Sequence, residues 1–133
     1  MPTSDAVKVA LAFYNVYNNQ MTDLLDDILD PLYVGHINST DIIGPDSAKE
    51  FISGFLEGIP DAFFDVKNIL EDGNHVICRW RCTGSQTGPF YGISPTNRAV
   101  DVNGITIFRI NTGRIAELWN IWDQHTFLTQ IKA

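Results

Sequence analysis

Apolar positions recur at helical spacing through the first third of the chain. Ala6, Ala10, Phe13, Tyr14 and Tyr17 form one stripe behind the start signal Thr3-Ser4-Asp5, and Asn18-Asn19-Gln20 ends the helix they predict. A second, acidic helix is predicted after Thr22. It turns Leu24, Leu25 and Ile28 inward and Asp23, Asp26 and Asp27 to water, and Pro31 closes it. A short extended piece, Leu32 to Ile37, leads to Gly44-Pro45-Asp46-Ser47, where a third helix starts. Ala48, Phe51, Ile52, Phe55, Leu56 and Ile59 give that helix the most regular amphipathic stripe in the chain, and Pro60 stops it.

From Ala62 to Asp123 the sequence reads as strand. Strands are predicted at Phe63–Leu70, Val76–Thr83, Ala99–Ile110 and Arg114–Asp123. Turns at Asp72-Gly73-Asn74 and Asn111-Thr112-Gly113 join them as two hairpins, and Gly84–Arg98 is an ordered loop at one end of the sheet. Helices first and an antiparallel sheet after them make an α+β protein, with helices on one sheet face. Residues 1–133 read as one domain without internal repeats.

The last hairpin sorts its residues onto two faces. A three-residue loop with Gly113 left-handed sets Arg109 opposite Ile115 and Ile107 opposite Glu117. One face then carries Ile105, Ile107, Trp119, Ile121 and Asp123; the other carries Phe108, Ile110, Leu118 and Trp122. Both are apolar, so both need cover. Helices cover one, and a second copy of the chain is the simplest cover for the other. Taking Phe108, Leu118 and Trp122 as the uncovered side gives a homodimer through the sheet.

Charge narrows the partners. Nine Lys and Arg against sixteen Asp and Glu give a net charge of -7, which disfavours nucleic acid and anionic membrane. No apolar run approaches the roughly 20 residues of a membrane span, and the first residues lack a secretory pattern. Cys78 and Cys82 lie four apart in a predicted strand, about 13 Å at strand rise, too far to bridge. A reducing cytoplasm is the expected location. The three histidines show no metal-ligand spacing, so no metal is expected.

Phe64 to Gln130 carries a series of fragments in a specific order. These are D-V-K-N-I-L-E-D-G-N-H-V-I-C-R-W-R, then T-G-P-F-Y-G-I-S-P-T-N-R, then G-I-T-I-F-R-I-N-T-G-R-I-A-E-L-W, and the closing D-Q with L-T-Q behind it. This series resembles the SnoaL-like polyketide cyclases of the NTF2-like superfamily. The resemblance implies a cone: a curved sheet wrapped around a pocket, roofed by helices and usually dimeric. It also implies ring closure of a polyketide by intramolecular aldol condensation, with neither metal nor organic cofactor. The acidic residue of that chemistry falls at the end of E-x-W-x-x-x-D, which is Asp123. Two positions depart from the family pattern: Leu118 where many relatives have His, and Pro95-Thr96-Asn97 where many read P-T-G. The same cone hosts isomerases, hydrolases and pure binding proteins.

An aldol closure needs one proton taken from carbon and another delivered to the developing alkoxide, and one carboxyl between them can do both. Free aspartate, with pKa about 3.9, is a poor base for carbon. Desolvation among Trp119, Ile121 and Trp122 would raise it. The competing reading is that Asp123 caps the turn Gln124-His125-Thr126. His36 is the second candidate for the chemistry, to orient substrate or share a proton with Asp123, and reads equally as a structural histidine. Tyr14, Trp80 and Tyr91 are candidate substrate-binding residues because each puts a polar tip on an aromatic wall. Asn103 joins them on the Asp123 face. Glu117 is expected to pair with Arg79 or Arg109, and His75 and His125 to be solvated. The expected function is cyclisation of a hydrophobic β-keto or polyketide substrate. The alternative is a non-catalytic binding or accessory protein for a small hydrophobic ligand. Hydration or hydrolysis on this scaffold would want two or three carboxylates around one water.

Overall fold

The structure, a computed structural model, describes residues 4–132. Helix α1 spans Asp5–Asn18; Ser4 caps it by accepting from the Val7 amide at 3.1 Å. Thr3, the other residue of the expected start signal outside the helix, lies outside the described residues. The acidic segment forms a 3₁₀ turn, Thr22–Leu24, followed by the single-turn helix α2, Leu25–Ile28. It ends three residues before Pro31, which lies within strand β1, Leu29–Ile37. A left-handed Asn38 then turns the chain into a short strand absent from the sequence reading, β2, Thr40–Ile43. Helix α3 spans Pro45–Gly58, with Pro45 in its first turn where no amide donor is needed.

The remaining strands are β3, Phe63–Asp72; β4, His75–Ser85; β5, Ala99–Asn111; and β6, Arg114–Trp122. Sheet order is β2-β1-β6-β5-β4-β3. Neighbours are antiparallel except β1 and β6, which run parallel. The architecture is α+β: one curved, unclosed sheet with helices in its concavity. The chain continues past β6 into an unexpected helix, α4, Gln124–Lys132. Its inward residues Phe127 and Ile131 are fully buried and four apart, which puts both on one helix face.

The final hairpin differs in register from the sequence expectation. Thr112 and Gly113 are both left-handed and form a two-residue loop between the paired Asn111 and Arg114. A bulge beside Ile110 absorbs one residue, so Ile107 faces Trp119 and Arg109 faces Glu117. The shift is two residues, so every side chain keeps its expected face. Phe108 and Leu118 point into the concavity and are fully buried under the helices of the same chain. They need no second copy to cover them, which removes that ground for a dimer. The uncovered face is the convex one, where Ile105 is 44% and Ile121 63% exposed.

Side-chain amides finish the sheet where strands run out of neighbours. Asn18, at the end of α1, accepts from the Phe64 amide at 2.7 Å and donates to the Phe64 carbonyl at 3.0 Å on the free edge of β3. Asn38 clasps the backbone of Trp122 in the same two-bond way, at 3.0 and 3.2 Å. β6 reaches only as far along β5 as Gly104, and beyond it Gln130 of α4 clasps the backbone of Asp101 at 2.8 and 3.0 Å. The loop between β4 and β5 is held from inside by the fully buried Gln86. Its amide nitrogen donates to the carbonyls of Gly88, Ile93 and Ser94, and its oxygen accepts from Thr96.

Asn18→Ala removes both bonds to Phe64 and leaves half-buried backbone groups unpaired. It is expected to cost about 1–3 kcal/mol, read as a shift of the urea midpoint at unchanged slope. A change below a few tenths would show that water replaces the amide at no cost.

Candidate functional site

Strand alternation sends Trp80 of β4, Val102 and Thr106 of β5, and Asn120 and Trp122 of β6 into the concavity. The Trp80 ring lies flat over Gly104. A Cβ there would sit 2.3 Å from the ring, so only glycine permits this approach. With the ring so placed, Trp80 Nε1 donates to Thr106 Oγ1 at 2.9 Å, and Thr106 donates in turn to Asn120 Oδ1 at 2.8 Å. From above, α1 contributes Phe13, Tyr14 and Tyr17, and α3 contributes Phe51 and Phe55. Together they enclose a cavity of about 30 Å³. Ile37, Phe51, Asn120 and Trp122 are the half-buried members of its lining.

No Asp, Glu, His, Lys or Arg lines this cavity among the described residues. Burial raises the Tyr14 and Tyr17 phenols far above their usual range. It also pushes the Cys82 thiol up to about 12 and the neighbouring Cys78 up to about 11. Every group facing the cavity is therefore neutral near pH 7. The Tyr14 hydroxyl is buried beside Thr106 and Cys78 and has no hydrogen-bond partner among the described residues.

The structure brings together two of the expected site residues, Tyr14 and Trp80. It sets the other four elsewhere. Asp123 is exposed at the end of β6, where its carboxylate accepts from the Thr126 amide at 3.0 Å and the Thr126 hydroxyl at 2.7 Å. It caps the first turn of α4. These bonds hold its carboxyl below the usual carboxylate range, the opposite of the desolvated acid expected among tryptophans. The aromatic sequence around it misled because Trp119 and Trp122 point to opposite faces while Asp123 begins the chain's exit into a helix. Asn103 shares with Asp123 an open groove of about 370 Å³ on the convex face, as the alternation predicts; neither lines the aromatic cavity, and Trp122 stands between the two, lining both. Tyr91 is 60% exposed on the loop before β5, with its hydroxyl donating to the Phe51 carbonyl at 3.2 Å outside the cavity.

His36 is on the convex face. Its Nδ1 lies 2.8 Å from Asp41 and its Nε2 2.7 Å from Glu117. Ionised carboxylates only accept, so the two contacts are hydrogen bonds together only with both ring nitrogens protonated, and they favour the imidazolium. The bond to Glu117, then that to Asp41, raises its pKa above the ordinary 6.5. Glu117 is correspondingly held low, first by His36 and then by Arg109, which donates to it at 3.2 Å. The His36 ring stacks on Trp119 at 5.7 Å, and His75 stacks on Trp119 at 6.3 Å instead of standing free in its turn.

The polar groups that the sequence reading passed over are Thr106 and Asn120. Both interrupt an inward-facing apolar series: Val102, Gly104, Phe108 and Ile110 on β5, Leu118 and Trp122 on β6. A polar residue in such a series is the signal that finds them.

A family model for the SnoaL-like polyketide cyclases matches residues 7–131. The chain belongs to the SnoaL-like polyketide cyclase family. Solved structures agree on the fold. A proposed SnoaL-like cyclase from Jannaschia sp. CCS1 is 25% identical with a TM-score of 0.90, covering 100% of this chain and 98% of that one. TsrD from Streptomyces laurentii is 23% identical, TM-score 0.86, over 98% and 97%. IdmH from Streptomyces antibioticus, a proposed polyketide cyclase, is 22% identical, TM-score 0.84, over 96% and 99%. No protein of curated function matches the chain. Among the described residues no helix is long and apolar enough to cross a membrane.

The His36 cluster has a definite pH signature. Because its folded pKa is raised, its contribution is complete below the ordinary 6.5 and is lost as pH rises through the higher folded value. Glu117 and Asp123, held low, contribute above the usual carboxylate range and fade in acid. Thermal melts from pH 6 to 9 are expected to fall in the wild type and to flatten in His36→Asn. Parallel curves for the two proteins would assign the slope to other groups.

Proposed function

We propose that the protein binds a small, hydrophobic, carbonyl-bearing molecule in the cavity between the helices and the sheet, as a binding or accessory protein on a cyclase scaffold. The neutrality of the cavity carries this reading: its walls are aromatic, its polar groups are uncharged, and both candidate proton-transfer residues lie outside it. Pockets for drug-sized ligands run to about 300 Å³ or more, so a cavity of about 30 Å³ is a resting form. Ligand enters by displacing the half-buried rings of Phe51 and Trp122.

Aldol cyclisation of a β-keto or polyketide substrate with Asp123 as acid/base is the second reading. Family membership favours it, as does the position of Asp123 directly after Trp122, whose ring lines the cavity. Against it stand the exposure of that carboxylate and its lowered pKa, which make it a weak base for carbon. We also propose that the convex face pairs two copies, since Ile105 and Ile121 are exposed there around the Trp119 stack.

Titration with 9-fluorenone, followed by tryptophan fluorescence, is expected to show saturable binding in the wild type and faster association in Trp122→Ala. Absence of binding in both would end the ligand-binding reading. Asp123→Asn is expected to leave that binding and the fold unchanged. A loss of roughly 10²-fold or more in turnover of a cyclising β-keto substrate by this variant would instead establish the catalytic reading. Ile121→Arg is expected to convert a dimer to a folded monomer in light scattering, and a wild-type monomer at micromolar concentration would refute the pairing.

A further inference from the structure

We infer that Thr106 is a positioning residue that orients the Asn120 amide in the cavity lining, so that the site favours a carbonyl or enolate oxygen over a hydroxyl or a hydrocarbon. This rests on the reading that the cavity takes a hydrophobic ligand, and it names the group that is recognised and how.

Indole nitrogen can only donate, so Thr106 Oγ1 must accept from Trp80 Nε1. The hydroxyl keeps one proton, and that proton is committed to Asn120 Oδ1 at 2.8 Å. The chain runs from Trp80 through Thr106 to the Asn120 oxygen. With its oxygen occupied, the Asn120 amide is oriented, and its NH₂ is left without a protein acceptor among the described residues. The other free polar group is the Tyr14 hydroxyl, which is 3% exposed on its residue and likewise unpaired. Asn120 and Tyr14 both line the one small apolar space, and no charged residue lines it among the described residues. A buried donor without a partner is costly, and a carbonyl oxygen, with two lone pairs, accepts from both. A ligand hydroxyl gains less, because placing its own proton on the Tyr14 oxygen forgoes the Tyr14 hydroxyl as a donor to it. A hydrocarbon satisfies neither. An anionic enolate is stabilised by the same pair without any proton being moved by the protein.

Shape-matched probes separate recognition of the oxygen from hydrophobic binding: 9-fluorenone, 9-fluorenol and fluorene share one tricyclic frame. The wild type is expected to bind the ketone roughly 3- to 10-fold more tightly than the hydrocarbon, the value of one hydrogen bond, with the alcohol between. Thr106→Val keeps the branched shape and strand preference while releasing the amide. It is expected to bind fluorene as before and to show a reduced preference for the ketone, and Thr106→Ser is expected to restore it. Asn120→Leu, which removes the donor itself, serves in place of Thr106→Val if that variant fails to fold. Equal affinity of the wild type for ketone and hydrocarbon overturns the inference while leaving hydrophobic binding intact. An undiminished preference in Thr106→Val overturns the role of Thr106. Failure of the wild type to bind any of the three overturns the ligand-binding reading and this inference with it.

Discussion

An open, curved sheet must satisfy backbone groups at every place where a strand outlasts its neighbour, and this fold meets that constraint with three carboxamides. Asn18, Asn38 and Gln130 each offer one acceptor and one donor at the spacing of a missing strand residue. Unpaired edge backbone is costly when buried and an invitation to foreign strands when exposed. Each amide also ties its own element to a sheet strand by directional bonds. Asn18 fixes the end of α1 over β3, Gln130 fixes α4 against β5, and Asn38 fixes the β1–β2 turn against β6. The roof of the cavity is therefore pinned by directional bonds at three points around its rim. Non-directional packing among Phe13, Tyr17, Phe55, Phe64 and Phe127 fills the space between.

The sheet separates charged groups from neutral polar ones. On the convex side Asp41, His36, Glu117 and Arg109 form an alternating line of charges across β2, β1, β6 and β5. On the concave side of β5 and β6 lie Thr106, Leu118 and Asn120. A carboxylate placed there would raise its pKa or recruit a counter-ion, and either would compete with a neutral ligand for the two donors. The alternation of β6, with Glu117 and Trp119 out and Leu118 and Asn120 in, puts these two environments on opposite sides of one backbone.

Much of this was legible because period 2 is robust. The turn type of the last hairpin was misjudged and the register with it, yet a two-residue error returns each side chain to its own face. Long periodic helices and strands appear where the alternation places them. What escaped had too little chain to show a period. β2 is four residues, and α4 turns only Phe127 and Ile131 inward within nine residues. Missing α4 had a direct chemical consequence, since without a helix behind it Asp123 reads as an aspartate ending an aromatic strand. With the helix in place, the same residue is a cap whose oxygens are already engaged by Thr126. Family position pointed to Asp123 as well, but a shared motif fixes a place in the chain, not the direction of a side chain. Thr106 and Asn120 are legible in the sequence, since each breaks an inward apolar series.

Trp122 joins these levels. Its backbone is held on both sides of the peptide unit by Asn38, so the strand end cannot shift to admit a ligand. Its indole is only half-buried and packs edge-on against Phe55 and Phe127, contacts that a rotamer change can break without disturbing any hydrogen bond of the sheet. Opening the cavity then costs local aromatic packing alone, and the Trp80–Thr106–Asn120 chain, rooted on the rigid floor of β4, β5 and β6, keeps its direction while the wall moves. The polarity of the cavity is thus set by its floor and its volume by its wall, which is what the proposed recognition of one oxygen on ligands of different bulk requires.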